Sequence, residues 1–326
     1  MIKAGIIGGA GYTGGELIRI LLNHPQVEIT FVHSRSNAGK PLHSVHADLI
    51  GETQLLFVDA VNQDIDVLFL CLGHGESKNF LTENTIDASI RVIDLANDFR
   101  LAANAQLGDR QFVYGLPELN RDIIRTAKNI ANPGCFATAI QLALLPLAQA
   151  GLLQEAYVTG ITGSTGAGQS LSATSHFSWR TNNIQAYKTL THQHLGEIVQ
   201  SLQQLSAQPL TEAPVHFVPW RGDFARGIFV SATVDTKESL SNLHQLYQAY
   251  YATHPFMVVT DQPVFLKQAL NTNKCIIQLE KSGNKLVVHS VIDNLIKGAS
   301  GQAVQNMNLL FGLEETTGLH LKSIGF

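Results

Sequence analysis

The chain has 326 residues, of which 45% are apolar and 15% charged, and its net charge is −4. That length holds two domains with a sizeable core, and the composition excludes a disordered chain. The charge excludes a basic nucleic-acid footprint, no apolar run is long enough to span a bilayer, and three scattered cysteines exclude a disulfide framework.

A first strand over Ile2–Ile7 begins at once, so no signal peptide is expected and the natural compartment is a reducing cytoplasm. Gly9-Ala10-Gly11-Tyr12-Thr13-Gly14 then fits G-x-G-x-x-G, and Glu16–Leu22 continues as a helix. Strand, glycine turn and helix form the context in which a backbone approaches a dinucleotide pyrophosphate, although an ordinary tight turn has the same outline. A second strand over Val27–His33 runs into Ser34-Arg35-Ser36. Glu28 comes too early to hold a ribose 2′-hydroxyl. Arg35 between the hydroxyls of Ser34 and Ser36 suits a 2′-phosphate instead, which points to NADPH; the alternative is a solvated loop arginine.

Further strands are predicted over Asp66–Cys71, Ile90–Leu95 and Asn129–Asn132. They read as continuous apolar runs, as buried parallel strands do, and predict a doubly wound α/β sheet with right-handed crossovers. Gly73 and His74 follow the third strand, at the crevice edge where a cofactor is expected. His74 is otherwise a plain loop residue.

Ala131-Asn132-Pro133-Gly134-Cys135-Phe136-Ala137-Thr138 places a cysteine behind a Pro-Gly turn and at the start of an apolar helical segment. Unpaired N–H groups and the positive helix end favour a thiolate there. Cys135 is thus a nucleophile able to form a thioester, or a small buried hydrophobe. Cys71 and Cys275 lie in strand-like runs and read as core.

Beyond Cys135, strands over Tyr157–Thr162, Gly227–Val234 and Lys285–Val291 and helices over His194–Leu205 and Glu238–Tyr251 predict an α+β domain. Its sheet is mostly antiparallel, with a hairpin turn at Ser282-Gly283-Asn284. A sheet covered on one face implies a homo-oligomer, dimer or tetramer. The small-residue loop Gly163–Gly168, with Ser164, Gly166 and Gly168, passes close to a cofactor or an oxyanion, or is a capped helix start. His192 and His194 are candidate acid–base groups, His192 first. As the chain enters a helix, the two are expected to point in different directions. A metal site is disfavoured, since no cysteine or carboxylate accompanies the pair at usual spacing.

Gly11-Tyr12-Thr13-Gly14, Asn132-Pro133-Gly134-Cys135, His192-Gln193-His194 and Lys297-Gly298-Ala299-Ser300-Gly301-Gln302-Ala303-Val304-Gln305-Asn306 together resemble the N-acetyl-γ-glutamyl-phosphate reductase family, related to aspartate-semialdehyde dehydrogenase. The resemblance extends through Asp94–Arg100, Tyr114–Asn120, Gly163–Gly168 and Arg226-Gly227-Ile228. Gly196 stands where the family usually has proline. The resemblance implies NADPH-dependent reduction of an acyl phosphate to an aldehyde in arginine biosynthesis, with Cys135 as nucleophile. It also implies a nucleotide domain over 1–134 resumed at 298–326, around a catalytic and oligomerisation domain over 135–297. Asn132 belongs to the substrate-site motif. Arg100 and Arg226 are candidate substrate cations, Arg180 and Lys188 weaker ones, each with a surface ion pair as alternative. Asn306 is a candidate contact for the nicotinamide carboxamide. Other readings are the same chemistry on an N-succinyl or acylated amino-adipyl phosphate, the region around Arg180-Thr181-Asn182-Asn183 admitting a larger charged acyl group. Aspartate-semialdehyde dehydrogenase and a non-catalytic NADPH-binding redox sensor complete the alternatives.

Overall fold

The computed structural model describes residues 1–211 and 213–325. Up to Gly134 the chain forms β1 (Ile2–Ile7), α1 (Tyr12–Leu22), β2 (Val27–His33), β3 (Phe57–Val58), β4 (Val67–Leu70), α2 (Glu76–Glu83), β5 (Arg91–Asp94), β6 (Gln106–Leu107), β7 (Arg110–Tyr114), α3 (Pro117–Thr126) and β8 (Asn129–Ala131). There follow α4 (Cys135–Gln149), β9 (Ala156–Thr162), α5 (Phe177–Arg180), β10 (Gln185–Ala186), α6 (Leu195–Leu205), β11 (Val215–Arg221), β12 (Ile228–Asp235), α7 (Leu240–Tyr251), β13 (Met257–Thr260), β14 (Cys275–Ser282), β15 (Lys285–Ile292) and α8 (Gly301–Leu310). Two compact units result: Met1–Gly134 with Ala299–His320, and Cys135–Gly298 with the residues from Leu321 onward.

The first unit holds a sheet of order β3-β2-β1-β4-β5-β8-β7-β6, parallel except for the β6–β7 hairpin. Its central strands are apolar because helices cover both faces; β4 is buried throughout. β2, β1 and β4 are neighbours, so the loops that follow them leave the same carboxyl edge side by side. α8 packs against α1 and α3, and all ten of its residues are buried. The amide donors of Gln305, Asn306 and Asn308 are satisfied inside the unit. The Gln305 amide donates to Glu315 Oε2 at 2.9 Å, and Asn308 Nδ2 donates to the carbonyls of Glu315 and Thr317.

The second unit holds a sheet of order β10-β11-β9-β12-β15-β14-β13, antiparallel except for β9–β11 and β13–β14. Gly283, at φ 55°, and Asn284 form the two-residue turn between β14 and β15. One face of the sheet carries α4, α6 and α7. α4 is apolar all round, and every residue from Phe136 to Ala148 is buried, as a central helix requires. Pro146 within it removes the N–H that would bond Leu142, and the Tyr251 hydroxyl donates to that carbonyl instead, at 2.5 Å. Along β12, buried residues alternate with half-exposed ones, so the other face stays open.

Strands β1 and β2 match their expected limits, and β4, β5 and β8 are shorter than expected by one or two residues. β3, β6, β7, β10, β11 and β13 are additions.

Candidate active site

In the first unit, each glycine of the turn after β1 has its own reason. A Cβ on Gly9 would lie 2.1 Å from Val32 Cγ1, and one on Gly14 would lie 2.7 Å from the Gly8 carbonyl oxygen. A Cβ on Gly11 would meet only that oxygen, at 3.6 Å, so Gly11 leaves its side of the turn open to a ligand. Gly11 caps α1 without a side-chain hydrogen bond, which leaves the helix end available to a phosphate. Tyr12 and Thr13 open this helix. His46, absent from the sequence expectations, is buried and bonds the Gly9 carbonyl through Nε2 at 2.7 Å, buttressing the loop. Arg35 is exposed just after β2, where NAD sites usually carry an acid, and the Asn37 amide donates to both Ser34 Oγ and Ser36 Oγ. Gly73 and His74 are exposed beyond β4. These residues fit a dinucleotide with a 2′-phosphate.

Three other residues expected at the site are built into the first unit. Arg100 is 5% exposed; its Nε donates to the Asn132 carbonyl and one Nη to that of Leu95, both at 2.8 Å. Asn132 is fully buried, its amide donating to the Ala299 carbonyl and accepting from Asn306 Nδ2. Asn306 Nδ2 also donates to the Gly115 carbonyl. A chain of hydrogen bonds therefore fixes the turn that precedes Cys135 in sequence. Asn132 and Asn306 serve that turn with their amide donors rather than presenting them to a ligand. Asp94, at the end of β5, is also buried. Its Oδ1 accepts from Ser77 Oγ and the Ala96 N–H while Oδ2 has no partner among the described residues, and burial pushes its carboxyl up to about 6.

In the second unit, Cys135 is the first residue of α4 and the one cysteine of the three that is not buried. Burial drives the Cys71 thiol up to about 12, and Cys275 Sγ sits 3.3 Å from Ser290 Oγ inside the sheet. Gly298 packs on Cys135: a Cβ there would lie 2.8 Å from the cysteine Cβ.

His192 is 4% exposed, in a cage of aromatic rings. Its centroid lies 5.8 Å from Phe136, 5.8 Å from Tyr187 and 5.5 Å from Phe217. Gly160 on β9 makes room, since a Cβ there would meet Phe136 at 2.6 Å. The two histidines do not diverge as expected. Their rings meet edge to face at 4.5 Å, because the chain turns before α6 and the His194 N–H donates to His192 Nδ1. That bond leaves the neutral imidazole its proton on Nε2. Burial, then the charges of Lys188 and Arg221, lower His192 to about 4. A value of about 4 leaves the imidazole neutral at pH 7, below the near-neutral range expected of it. His194 lies 3.8 Å from the buried Glu197 carboxylate.

Tyr187 and Arg221 were not expected here. The Arg221 guanidinium carbon lies over the Tyr187 ring, 4.6 Å from its centroid. The Tyr187 phenol is raised to about 12 by burial and then by the charge of Cys135, with Arg221 acting against both. No sequence motif brings these residues together; β10 and β11 do, where Gln185 pairs with Arg221. Arg226 grips the buried carboxylate of Asp293 with Nε and Nη2, each at 3.1 Å. The loop of Ser164, Gly166 and Gly168 forms a short 3-10 turn that is not buried. It is pinned where Thr165 Oγ1 donates to the Ala225 carbonyl at 2.7 Å and accepts from Asn294 Nδ2 at 3.1 Å.

Among the described residues, no helix is long and apolar enough to cross a membrane. Residues 3–127 match the model of the semialdehyde dehydrogenase NAD-binding domain, and residues 135–294 that of the semialdehyde dehydrogenase dimerisation domain. Solved structures agree on the fold. Aspartate semialdehyde dehydrogenase II from Vibrio cholerae, complexed with ASA, superposes with a TM-score of 0.73 at 18% identity, covering 96% of this chain and 98% of that one. The enzyme from Candida albicans with NADP gives 0.69 at 16% identity, covering 95% and 98%. An oxidoreductase of the two-domain semialdehyde dehydrogenase class is thereby defined.

Within that class, the chain belongs to the N-acetyl-γ-glutamyl-phosphate reductase family. It is 56% identical to the reductase of Christiangramia forsetii over 99% of both chains, and 56% identical to that of Bacteroides fragilis over the whole of both.

Proposed function

We propose that this protein reduces N-acetyl-γ-glutamyl phosphate to N-acetylglutamate 5-semialdehyde with NADPH, releasing phosphate, in arginine biosynthesis in the cytoplasm. The observation that carries the mechanism is the half-exposed thiol of Cys135 at the first turn of α4, beside the buried aromatic and cationic cluster around His192. The helix end favours its thiolate without a protonated imidazole.

Cys135 Sγ attacks the γ-carbonyl carbon, the C–S bond forms, and the C–O bond to phosphate breaks. Phosphate takes its proton from solvent. NADPH, when bound, would supply the hydride that the thioester carbon accepts. His192, neutral with a proton on Nε2, donates a hydrogen bond to the oxyanion that develops in each half of the reaction. Collapse of the hemithioacetal oxyanion breaks the C–S bond, releasing the aldehyde and returning the thiolate. No net proton passes through the imidazole. His194 and Glu197 keep the helix start and the His192 tautomer in place.

Gly9, Gly11, Tyr12, Thr13 and Gly14 take the pyrophosphate, Ser34, Arg35 and Ser36 the 2′-phosphate, and Gly73 and His74 the adjoining edge. The loop of Ser164, Gly166 and Gly168 serves the nicotinamide end. Arg100 and Arg226 are the candidate substrate cations, at positions fixed by their protein partners. Asn306 offers only its unpartnered Oδ1 to a carboxamide. The assembly is a homodimer or homotetramer.

Protein given the acyl phosphate without reductant should carry an acyl adduct on Cys135 by mass spectrometry, and Cys135→Ala should lose NADP reduction with semialdehyde and phosphate. Absence of the adduct, or turnover by the alanine variant, removes the mechanism. A protein that binds NADPH but oxidises no semialdehyde would instead be a redox sensor.

A further inference from the structure

Five guanidinium groups lie among the residues discussed in the two units: Arg35 stands at the nucleotide end, and three others are engaged by protein partners. Arg100 holds two main-chain carbonyls, and Arg226 holds Asp293. Arg180 donates to the carbonyls of Thr174 and Gly222. Arg221 differs. Its Nε is buried with no hydrogen-bond partner among the described residues.

A buried, unanswered donor on a cation is costly unless a ligand completes it. The surroundings add to that cost. Arg180 is lowered by burial and then by the charge of Arg221, Asp223 acting the other way, and Lys188 bears on the same histidine as Arg221. Lys188 Nζ donates to the neutral Gln193 Oε1 at 2.7 Å. The Asp223 carboxylate accepts from the Asn182 N–H at 2.5 Å. The chain here is strained, with Asn182, Lys188 and Leu190 at φ of 53°, 46° and 58°. Strain and like charge are thus concentrated around the Arg221 guanidinium, which lies over the Tyr187 ring, 4.6 Å from its centroid, and also hydrogen-bonds that side chain. Its unanswered Nε is half of the fork that a partner with two oxygens takes.

We propose that Arg221 is a carboxylate anchor of the substrate site, binding either the α-carboxylate or a carboxylate on the acyl group. This rests on the reaction assigned above and adds the residue that selects the substrate. An acyl group bearing its own carboxylate would answer a cationic cluster that one α-carboxylate leaves in excess.

The test is reverse-direction kinetics of the full-length protein and of Arg221→Gln and Arg221→Lys. Three aldehydes are compared: N-acetylglutamate semialdehyde, N-succinylglutamate semialdehyde and N-acetyl-4-aminobutanal, which lacks the α-carboxylate. Arg221→Gln should raise the KM of a recognised aldehyde about tenfold or more, with kcat and the KM values of NADP and phosphate little changed. Arg221→Lys should recover part of the loss. A loss confined to the succinyl compound assigns the acyl carboxylate. A loss shared by the acetyl and succinyl compounds and absent for the third assigns the α-carboxylate. An unchanged aldehyde KM, a change confined to phosphate, or a uniform loss with a lower Tm overturns the proposal. Calorimetric binding of N-acetylglutamate and N-succinylglutamate reads the same contrast without turnover. A wild-type protein inactive on every aldehyde therefore sinks the reaction, while the calorimetry still decides whether Arg221 holds a carboxylate.

Discussion

His192 is where residue identity and residue state part. A donor and a base make different demands on a replacement. If His192 supplies a hydrogen bond, His192→Gln keeps an N–H and should retain several times more kcat than His192→Ala, whose loss should be about 10²–10³-fold; equal losses in steady-state assays would restore an acid–base role. The same residue leaves a mark on stability. With a native value near 4 against an ordinary 6.5, the unfolded chain takes the proton first, so the native state loses stability as pH falls from 6.5 towards 4. Asp94 has the opposite sign: near 6 against 3.8, its native form takes the proton first, and its contribution is lost as pH rises from 3.8 to 6. Melting curves across this window should show the Tm difference from wild type falling with pH for His192→Gln and rising with pH for Asp94→Asn. Gly298→Ala is a steric test. A methyl 2.8 Å from Cys135 Cβ must displace the helix start, and kcat should fall at least about tenfold with NADP binding intact. Of these residues, Cys135 and the histidines are legible in the sequence because each lies in a local pattern. Tyr187, Arg221 and His46 are not, since only tertiary pairing brings them to the site.

At the scale of elements, the parallel strands were legible because burial on both faces demands unbroken apolar runs. β11 was hidden by Pro219 within it, which lacks the N–H a strand interior normally uses. β7 was hidden by Arg110 and Gln111 at its start, although Arg110 Nη1 donates to Asn129 Oδ1 at 2.8 Å, tying β7 to β8. α8 is the converse case: its composition reads as a half-exposed helix, yet it is wholly buried, its amides answered by Glu315, Thr317, Gly115 and Asn132. In α4 the proline is tolerated because a tyrosine from α7 repairs the ladder. Tyr251→Phe orphans the Leu142 carbonyl and should cost about 1–3 kcal/mol in denaturant unfolding, far more than an exposed Tyr→Phe change. A neutral result would mean the carbonyl finds another donor.

For the whole molecule, the second unit matches a dimerisation domain and leaves one face of its sheet open, so that face is where an interface is expected. Ser231 sits in the middle of it, between Thr159 and His289 in register, with its hydroxyl 2.9 Å from His289 Nδ1. Ser231→Arg should leave the fold intact and shift the mass by light scattering to that of a single chain; an unchanged assembly would place the interface elsewhere.

The route of the chain has one more consequence. The first unit is interrupted after Gly134 and resumes only at Ala299, where α8 supplies a fully buried wall. On the ribosome, the amino-terminal sheet must therefore wait for Cys135–Gly298 to be made, on the order of ten seconds or more at about 5–20 residues per second. Through that delay the nascent sheet holds its α8-facing groove exposed, the interval in which a chaperone has most to protect.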